Sequence, residues 1–220
     1  MARHVFITGG TGYLGQRLIA ELINRGHHVR ALVRPGSESK LANLCEVVTG
    51  NALEEESFLK KICPADTFVH LVGVPRPSPA KAKQFREIDL VSIRASVPAA
   101  LKAGIEHFVY LSVAQPAPIM KVYQEVRAEG ERLVRDSGMN ATILRPWYVL
   151  GPGHWWPYLL LPAYKLLEMF PATKESAARL GLVTIDHMTA SLINAIETDV
   201  TGVRIVDVPQ IRASKISANP

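Results

Sequence analysis

The chain has 220 residues, enough for one domain with a substantial core and too few for two ordinary ones. Of these residues 48% are hydrophobic and 20% charged, without repeats or low-complexity runs, which excludes wholesale disorder. The net charge of +5 comes from scattered Lys and Arg rather than a basic run interleaved with aromatics, so it favours an anionic cofactor or substrate over specific nucleic acid binding.

From the N-terminus, the apolar "HVFIT" reads as a strand that leads through "GGTGYLG" into a helix over 12–26. Leu14, Leu18 and Leu22 with Ile19 and Ile23 make one apolar stripe, and Gly26 closes it before the strand "HVRALV". A short polar helix, the strand "CEVVT", a helix over "EEESFLKKI" and the strand "TFVHLVG" come next. A helical stretch from about 80 to 103, the strand "HFVYLSV", a helix from about 119 to 137 and the strand "ATILRP" complete the alternation. Strand and helix in turn predict an α/β fold of the Rossmann type, a doubly wound parallel sheet with right-handed crossovers and helices on both faces. Pro98 interrupts the long stretch at a cost of about 3 kcal/mol, so the helix is expected to kink there or to restart with Ser96 as cap.

After Pro146 the pattern changes to "GPGHWWPYLLLP", a helix near 163–170, the strand "RLGLVTI", a helix from Asp186 to Glu197 with Asp186 as N-cap and His187 exposed beside it, and the strand "GVRIVDV". Residues 1–220 therefore read as a single domain, with those from about 147 forming a small cap on the carboxyl side of the sheet and a loose tail, "SKISANP". The greasiest stretch is broken by Pro157, Pro162 and Lys165, short of the roughly 20 apolar residues a membrane span needs. The N-terminus lacks the pattern of a signal peptide, and Cys45 and Cys63 make neither a disulfide framework nor a metal cluster. A cytoplasmic monomer or homodimer without a metal is the expectation.

The glycine-rich turn admits two registers. Gly10, Gly12 and Gly15 fit GxGxxG, whereas Gly9, Gly12 and Gly15 fit an even GxxGxxG, and spacing alone does not choose. Either turn aims backbone N–H groups and a positive helix end at a pyrophosphate. Where an NAD-preferring site carries an acid at the end of the second strand, this chain has Arg34, followed by Ser37 and Lys40. A guanidinium there suits an adenosine 2'-phosphate and predicts NADP(H) in preference to NAD(H), by about ten-fold to 150-fold for a charge-assisted bond of about 1.5 to 3 kcal/mol. The alternative is a solvated arginine at a strand end.

"TGGTGYLG", "ALVR", "GNA", "HLVG", "YLSV" and "TILRPWYVLGPG" together resemble the short-chain dehydrogenase/reductase superfamily, in its atypical NAD(P)H-binding branch that includes the nitrogen-metabolite-repressor-like proteins. The resemblance covers nearly the whole chain and implies the Gly9, Gly12, Gly15 register. It implies further that Thr11, Gly12, Tyr13 and Leu14 line the pyrophosphate and ribose, that Asn51 and Ala52 lie by the adenine, and that Leu71, Val72 and Gly73 follow the adenosine ribose. Pro146 to Val149 would then adjoin the nicotinamide amide. Asn51 stands where the family usually has aspartate, which keeps an acceptor and removes a charge.

Catalytic relatives use a Tyr, a Lys four positions later and a Ser at the end of the fifth strand. Here the corresponding residues are Tyr123, Arg127 and Ser112. Positions i and i+4 share a helical face, so a cation at 127 is placed to favour the Tyr123 phenolate, but arginine does not readily release a proton. Tyr123 is thus either a general acid/base or an aromatic packing beside Val122 and Val126, and Ser112 either orients substrate or satisfies a strand end. His70, in a buried strand, reads as a satisfied core histidine rather than an acid/base. His154, Trp155 and Trp156 either line an apolar substrate pocket over the nicotinamide or cap their own domain. Three functions compete: an NADP(H)-dependent reductase of an unidentified small carbonyl or hydroxyl substrate, a noncatalytic NADP(H)-binding regulator or assembly factor, and an NAD-dependent sugar epimerase or dehydratase. About 70 residues after Pro146 look cramped for a nucleotide-sugar site.

Overall fold

A computed structural model describes residues 2–41, 43–151 and 179–215. The strands β1 (His4–Thr8), β2 (His28–Val33), β3 (Glu46–Thr49), β4 (Thr67–His70), β5 (His107–Leu111) and β6 (Asn140–Arg145) lie close to their predicted places. So do the helices α1 (Tyr13–Asn24), α2 (Val91–Lys102) and α3 (Lys121–Asp136). The segment "EEESFLKKI" forms two tight 3-10 turns, Glu55–Ser57 and Leu59–Lys61, in place of one helix.

The tail divides in a way its sequence pattern does not announce. Strands β7 (Tyr148–Leu150) and β8 (Leu182–Thr184) pair in a small parallel sheet of their own. Helix α4 (Ile185–Glu197) then packs on α1, and β9 (Val203–Asp207) joins β6 as the edge of the main sheet, before a short helix α5 (Val208–Ala213). Much of the expected cap thus belongs to the Rossmann layers. The N-cap of α4 is Thr184, whose side chain accepts from the His187 N–H, and not Asp186, which is exposed and ion-paired with Arg17 at 3.2 Å. His187 itself is half-buried rather than exposed.

All seven main strands are parallel, in the order β3-β2-β1-β4-β5-β6-β9, so the winding reverses between β1 and β4. In open α/β sheets a ligand crevice forms at that reversal, outside the carboxyl ends of the strands. Alternating side chains build a core on each face: Val5 and Ile7 pack with Leu18, Leu22, Met188 and Leu192, while Phe6 points the other way. There Phe6, Phe68 and Phe108 occupy matching registers on β1, β4 and β5, with ring centroids 5.3 and 5.1 Å apart.

The long helical stretch is irregular upstream of its proline. Residues Phe85–Leu90 form a π-helical turn that runs into α2, and α2 continues through Pro98 without restarting. Ser96 is no cap; its hydroxyl is buried inside the helix with no partner among the described residues. Tertiary packing on both sides outweighs the proline's intrinsic cost.

Candidate cofactor and active site

The turn between β1 and α1 decides the glycine register. Gly9 has φ +80°, and a Cβ there would meet the backbone of Leu71 and Val72 at 2.7–2.8 Å. Gly9 is therefore where the first turn touches the loop after β4, backbone against backbone, at the point of reversal. A Cβ at Gly15 would strike Gly9 O at 2.6 Å, so this glycine lets α1 sit on the turn, and Gly12 caps the helix with its N–H on Gly9 O. Gly10, by contrast, has an ordinary φ and is hemmed in by the side-chain ends of Ile19 and Leu41.

The first turn of α1 contains no acidic residue, and no side chain caps it. Its leading N–H groups lack intrahelical acceptors, and the helix dipole is positive there. Gly12 and Tyr13 are exposed at this end, Thr11 and Leu14 are partly buried beside them, and Gln16 Nε2 donates to Thr11 O. The tight glycine cradle and the uncapped helix end fit a pyrophosphate.

Arg34 follows β2 directly and is exposed; among the described residues no ion pair or hydrogen bond engages its guanidinium. Its carbonyl accepts from Ser37 N, which folds the segment carrying Ser37 and Lys40 back beside it. Asn51 is less available. Its Oδ1 accepts from Leu53 N at 3.1 Å and its Nδ2 donates to Glu54 at 2.7 Å, so the side chain shapes its own turn, next to Ala52. Pro146 O accepts from Ala114 N, joining the ends of β5 and β6, while Val149 lies half-buried in β7.

The three expected catalytic residues have quite different surroundings. Ser112 is buried, and its hydroxyl donates to Glu131 Oε1 at 2.6 Å. Glu131, itself buried on α3, also accepts from Gln115 and takes a two-point contact from Arg145 at 2.9 and 2.5 Å. Ser112 is thus turned into the packing between α3 and the strand ends. Arg127 is 4% exposed and pairs with the fully buried Asp89 carboxylate at 2.7 Å. Its Nη1 donates to Leu111 O at 2.9 Å and its Nη2 reaches Val72 O at 3.4 Å. Burial opposes its charge, but Tyr123, Tyr110 and Asp89 outweigh that and hold the guanidinium above its ordinary pKa. It cannot act as a proton relay.

Tyr123 remains half-buried at the start of α3. Its ring lies against Phe85, with centroids 4.8 Å apart, and under the Arg127 guanidinium at 5.2 Å. A recess of about 120 Å³ beside it is lined by Pro79, Phe85, Met120, Lys121 and Val122. The i, i+4 geometry therefore brings Tyr123 and Arg127 together, but through the ring face and not through the hydroxyl.

His70 is a core residue. Its Nδ1 lies 3.0 Å from Thr8 Oγ1 and its Nε2 3.3 Å from Ser92 Oγ, and burial, reinforced by Arg127, lowers its pKa to about 3. His154, Trp155 and Trp156 lie outside the described residues. Among the described residues there is no cluster of His, Cys, Asp and Glu placed to hold a metal, and no helix is long and apolar enough to cross a membrane. Asp89 and Glu131 were missed at the level of sequence. Acidic residues in amphipathic helices look solvated, and only the tertiary contacts reveal them as buried partners of Arg127 and Ser112.

A parallel sheet reversing at a glycine-rich turn, with an uncapped helix end facing the crevice, defines the class of Rossmann-type dinucleotide-binding proteins. Residues 9–152 match the family described as NAD(P)H-binding, and the chain belongs to that family. It is 27% identical over 210 residues to a ceramide reductase of Caulobacter vibrioides, covering 94% of this chain and 65% of that protein. It is 31% identical over 149 residues to the photosystem II assembly factor Ycf39 of Synechocystis, covering 64% of this chain and 43% of the relative. The chain thus spans less than two thirds of either relative's length. Among solved structures, a short-chain dehydrogenase/reductase superfamily protein from Agrobacterium tumefaciens with bound NAD shares the fold, at TM-score 0.68 and 18% identity, over 93% of this chain and 77% of that one.

Proposed function

We propose that this protein is an NADP(H)-preferring oxidoreductase acting on a small carbonyl or hydroxyl substrate, with Tyr123 as its proton donor and acceptor. The observation that carries the cofactor preference is Arg34, an unengaged guanidinium beside the glycine turn, where an NAD site would place an acid. The nicotinamide supplies or accepts the hydride when bound. Thr11, Gly12, Tyr13 and Leu14 hold the pyrophosphate and ribose, Asn51 and Ala52 border the adenine, Leu71, Val72 and Gly73 follow the ribose, and Pro146 to Val149 adjoin the nicotinamide. Tyr123 exchanges a proton with substrate at its phenolic oxygen, and the apolar recess beside it accommodates a small group. Relatives named as reductases support the reaction class.

A second reading is favoured by a specific observation. Ser112 and Arg127 are bound internally, to Glu131 and Asp89, which suits a noncatalytic NADP(H)-binding regulator or assembly factor. Titration with NADPH and NADH, together with NADPH oxidation against a panel of carbonyl compounds, separates the two. The oxidoreductase reading requires turnover that Tyr123→Phe abolishes, and the cofactor reading requires that Arg34→Ala weaken NADPH by about ten-fold while leaving NADH unchanged. Equal affinity for both cofactors in the wild-type protein would refute the role of Arg34.

A further inference from the structure

We infer that Asp89 and Arg127 form a buried clamp that sets the shape of the cofactor crevice at Val72–Val74, so that Arg127 is a positioning residue rather than a replacement for a catalytic lysine. The inference rests on the reading that this segment borders the dinucleotide.

The pair grips the segment from both ends. Arg127 Nη2 reaches Val72 O, and Asp89 Oδ2 accepts from Val74 N at 3.0 Å, while the two side chains join at 2.7 Å. Gly73 lies between, so close to the guanidinium that a Cβ there would collide with Nη2. The same Arg127 holds Leu111 O at 2.9 Å, tying the end of β5 to the loop after β4. The opposite flank of that loop is the backbone of Leu71 and Val72 against which Gly9 is pressed. One ion pair therefore braces the wall on which the glycine turn leans.

Each partner is delivered by a distinct piece of backbone. Asp89 comes from the π-helical turn Phe85–Leu90, a type of irregularity frequent at functional sites. Arg127 comes from one turn beyond Tyr123 on α3. The guanidinium fork can serve Asp89, Val72 O and Leu111 O at once because its donors are fixed in one plane, which a lysine ammonium does not reproduce. A pair sealed in this way is a costly means of adding stability, since its desolvation offsets its attraction, and fixing a geometry is the better-attested use of such pairs.

The test compares the wild-type protein with two variants. Asp89→Leu/Arg127→Met removes both charges together and keeps the volume, so no charge is stranded; Gly73→Ala keeps both charges and displaces the guanidinium. NADPH dissociation constants are measured by titration, and amide hydrogen exchange at Val74 is followed in the same samples. Both variants are expected to weaken NADPH by about ten-fold or more. Exchange at Val74 should rise by about ten-fold in the double variant, with amides in β1 unchanged. A third variant, Arg127→Lys, which keeps the charge but not the fork, should retain less than half of the binding energy that the double variant loses. Unaltered Val74 exchange in the folded double variant overturns the clamp, and unaltered NADPH affinity in both variants overturns its role in binding. A wild-type protein that binds no dinucleotide overturns the cofactor reading instead, a result distinct from wild type and variants binding alike.

Discussion

Lowering the pH from about 7.5 to about 5 should destabilise this fold through His70, a residue wholly enclosed between β1, α2 and the aromatic core. Ser92 Oγ donates to Asp89 O, so it is left to accept from His70 Nε2–H, and Thr8 Oγ1 in turn donates to Nδ1. This set satisfies a neutral imidazole and offers a proton on Nδ1 no acceptor that is not already donating. Burial, with the Arg127 charge adding to it, holds the pKa at about 3 against 6.5 for the free side chain. The unfolded chain therefore takes up a proton that the folded protein does not. The contribution is fully present above pH 6.5, and falls at about 1.4 kcal/mol per pH unit as the pH drops towards 3. By about pH 5 the loss is about 2 kcal/mol, a large share of the 5 to 15 kcal/mol that holds an ordinary domain together. Urea denaturation followed by circular dichroism at several pH values, for the wild-type protein and His70→Asn, measures it. His107, lowered to about 4 chiefly by burial, acts in the same direction but is common to both proteins, so the difference in slope belongs to His70. Parallel stability curves for the two proteins would refute the reasoning.

Gly9→Ala forces a side chain into positive φ and against the Leu71 and Val72 backbone, and is expected to cost more than about 1 kcal/mol and to abolish NADPH binding, read by thermal melting and titration. Glu131→Ala frees Ser112 and leaves Arg145 only the more distant Asp207 at 4.0 Å, so it should cost about 3 kcal/mol in denaturant unfolding. Glu129→Ala, which removes a more exposed pair with Arg94, should cost less than about 1 kcal/mol in the same assay. Thr184→Ala is expected to lower stability by about 1 kcal/mol through loss of the α4 cap, and Asp186→Ala by clearly less.

The readings that held were those written in local pattern. Strand β2 is legible because its apolar run ends at Arg34, and α3 because Val126, Gly130 and Val134 recur at helical spacing on its buried face. Misreadings arose where a residue's partner lies far along the chain. Asp186 has the chemistry of a cap, yet β8 brings Thr184 to that place first. "GVRIVDV" reads as part of a cap because nothing in its own residues says that it will hydrogen-bond to β6, over 60 positions earlier. The expected catalytic trio was chosen by position, and position cannot say which way a hydroxyl or a guanidinium turns.

By itself the sequence determined the α/β alternation, the place of the glycine-rich turn and the cation at the end of β2, because each follows from a period or a spacing within about ten residues. Only the tertiary structure decided that Gly9 and not Gly10 is the glycine of close approach, since its neighbours there are Leu71 and Val72. It also decided that Arg127 faces Asp89, and that Ser112 faces Glu131. The physical reason is that a buried charge must find its partner through space. The partner's identity is set by how the crossovers stack their helices, which no local stretch of chain records.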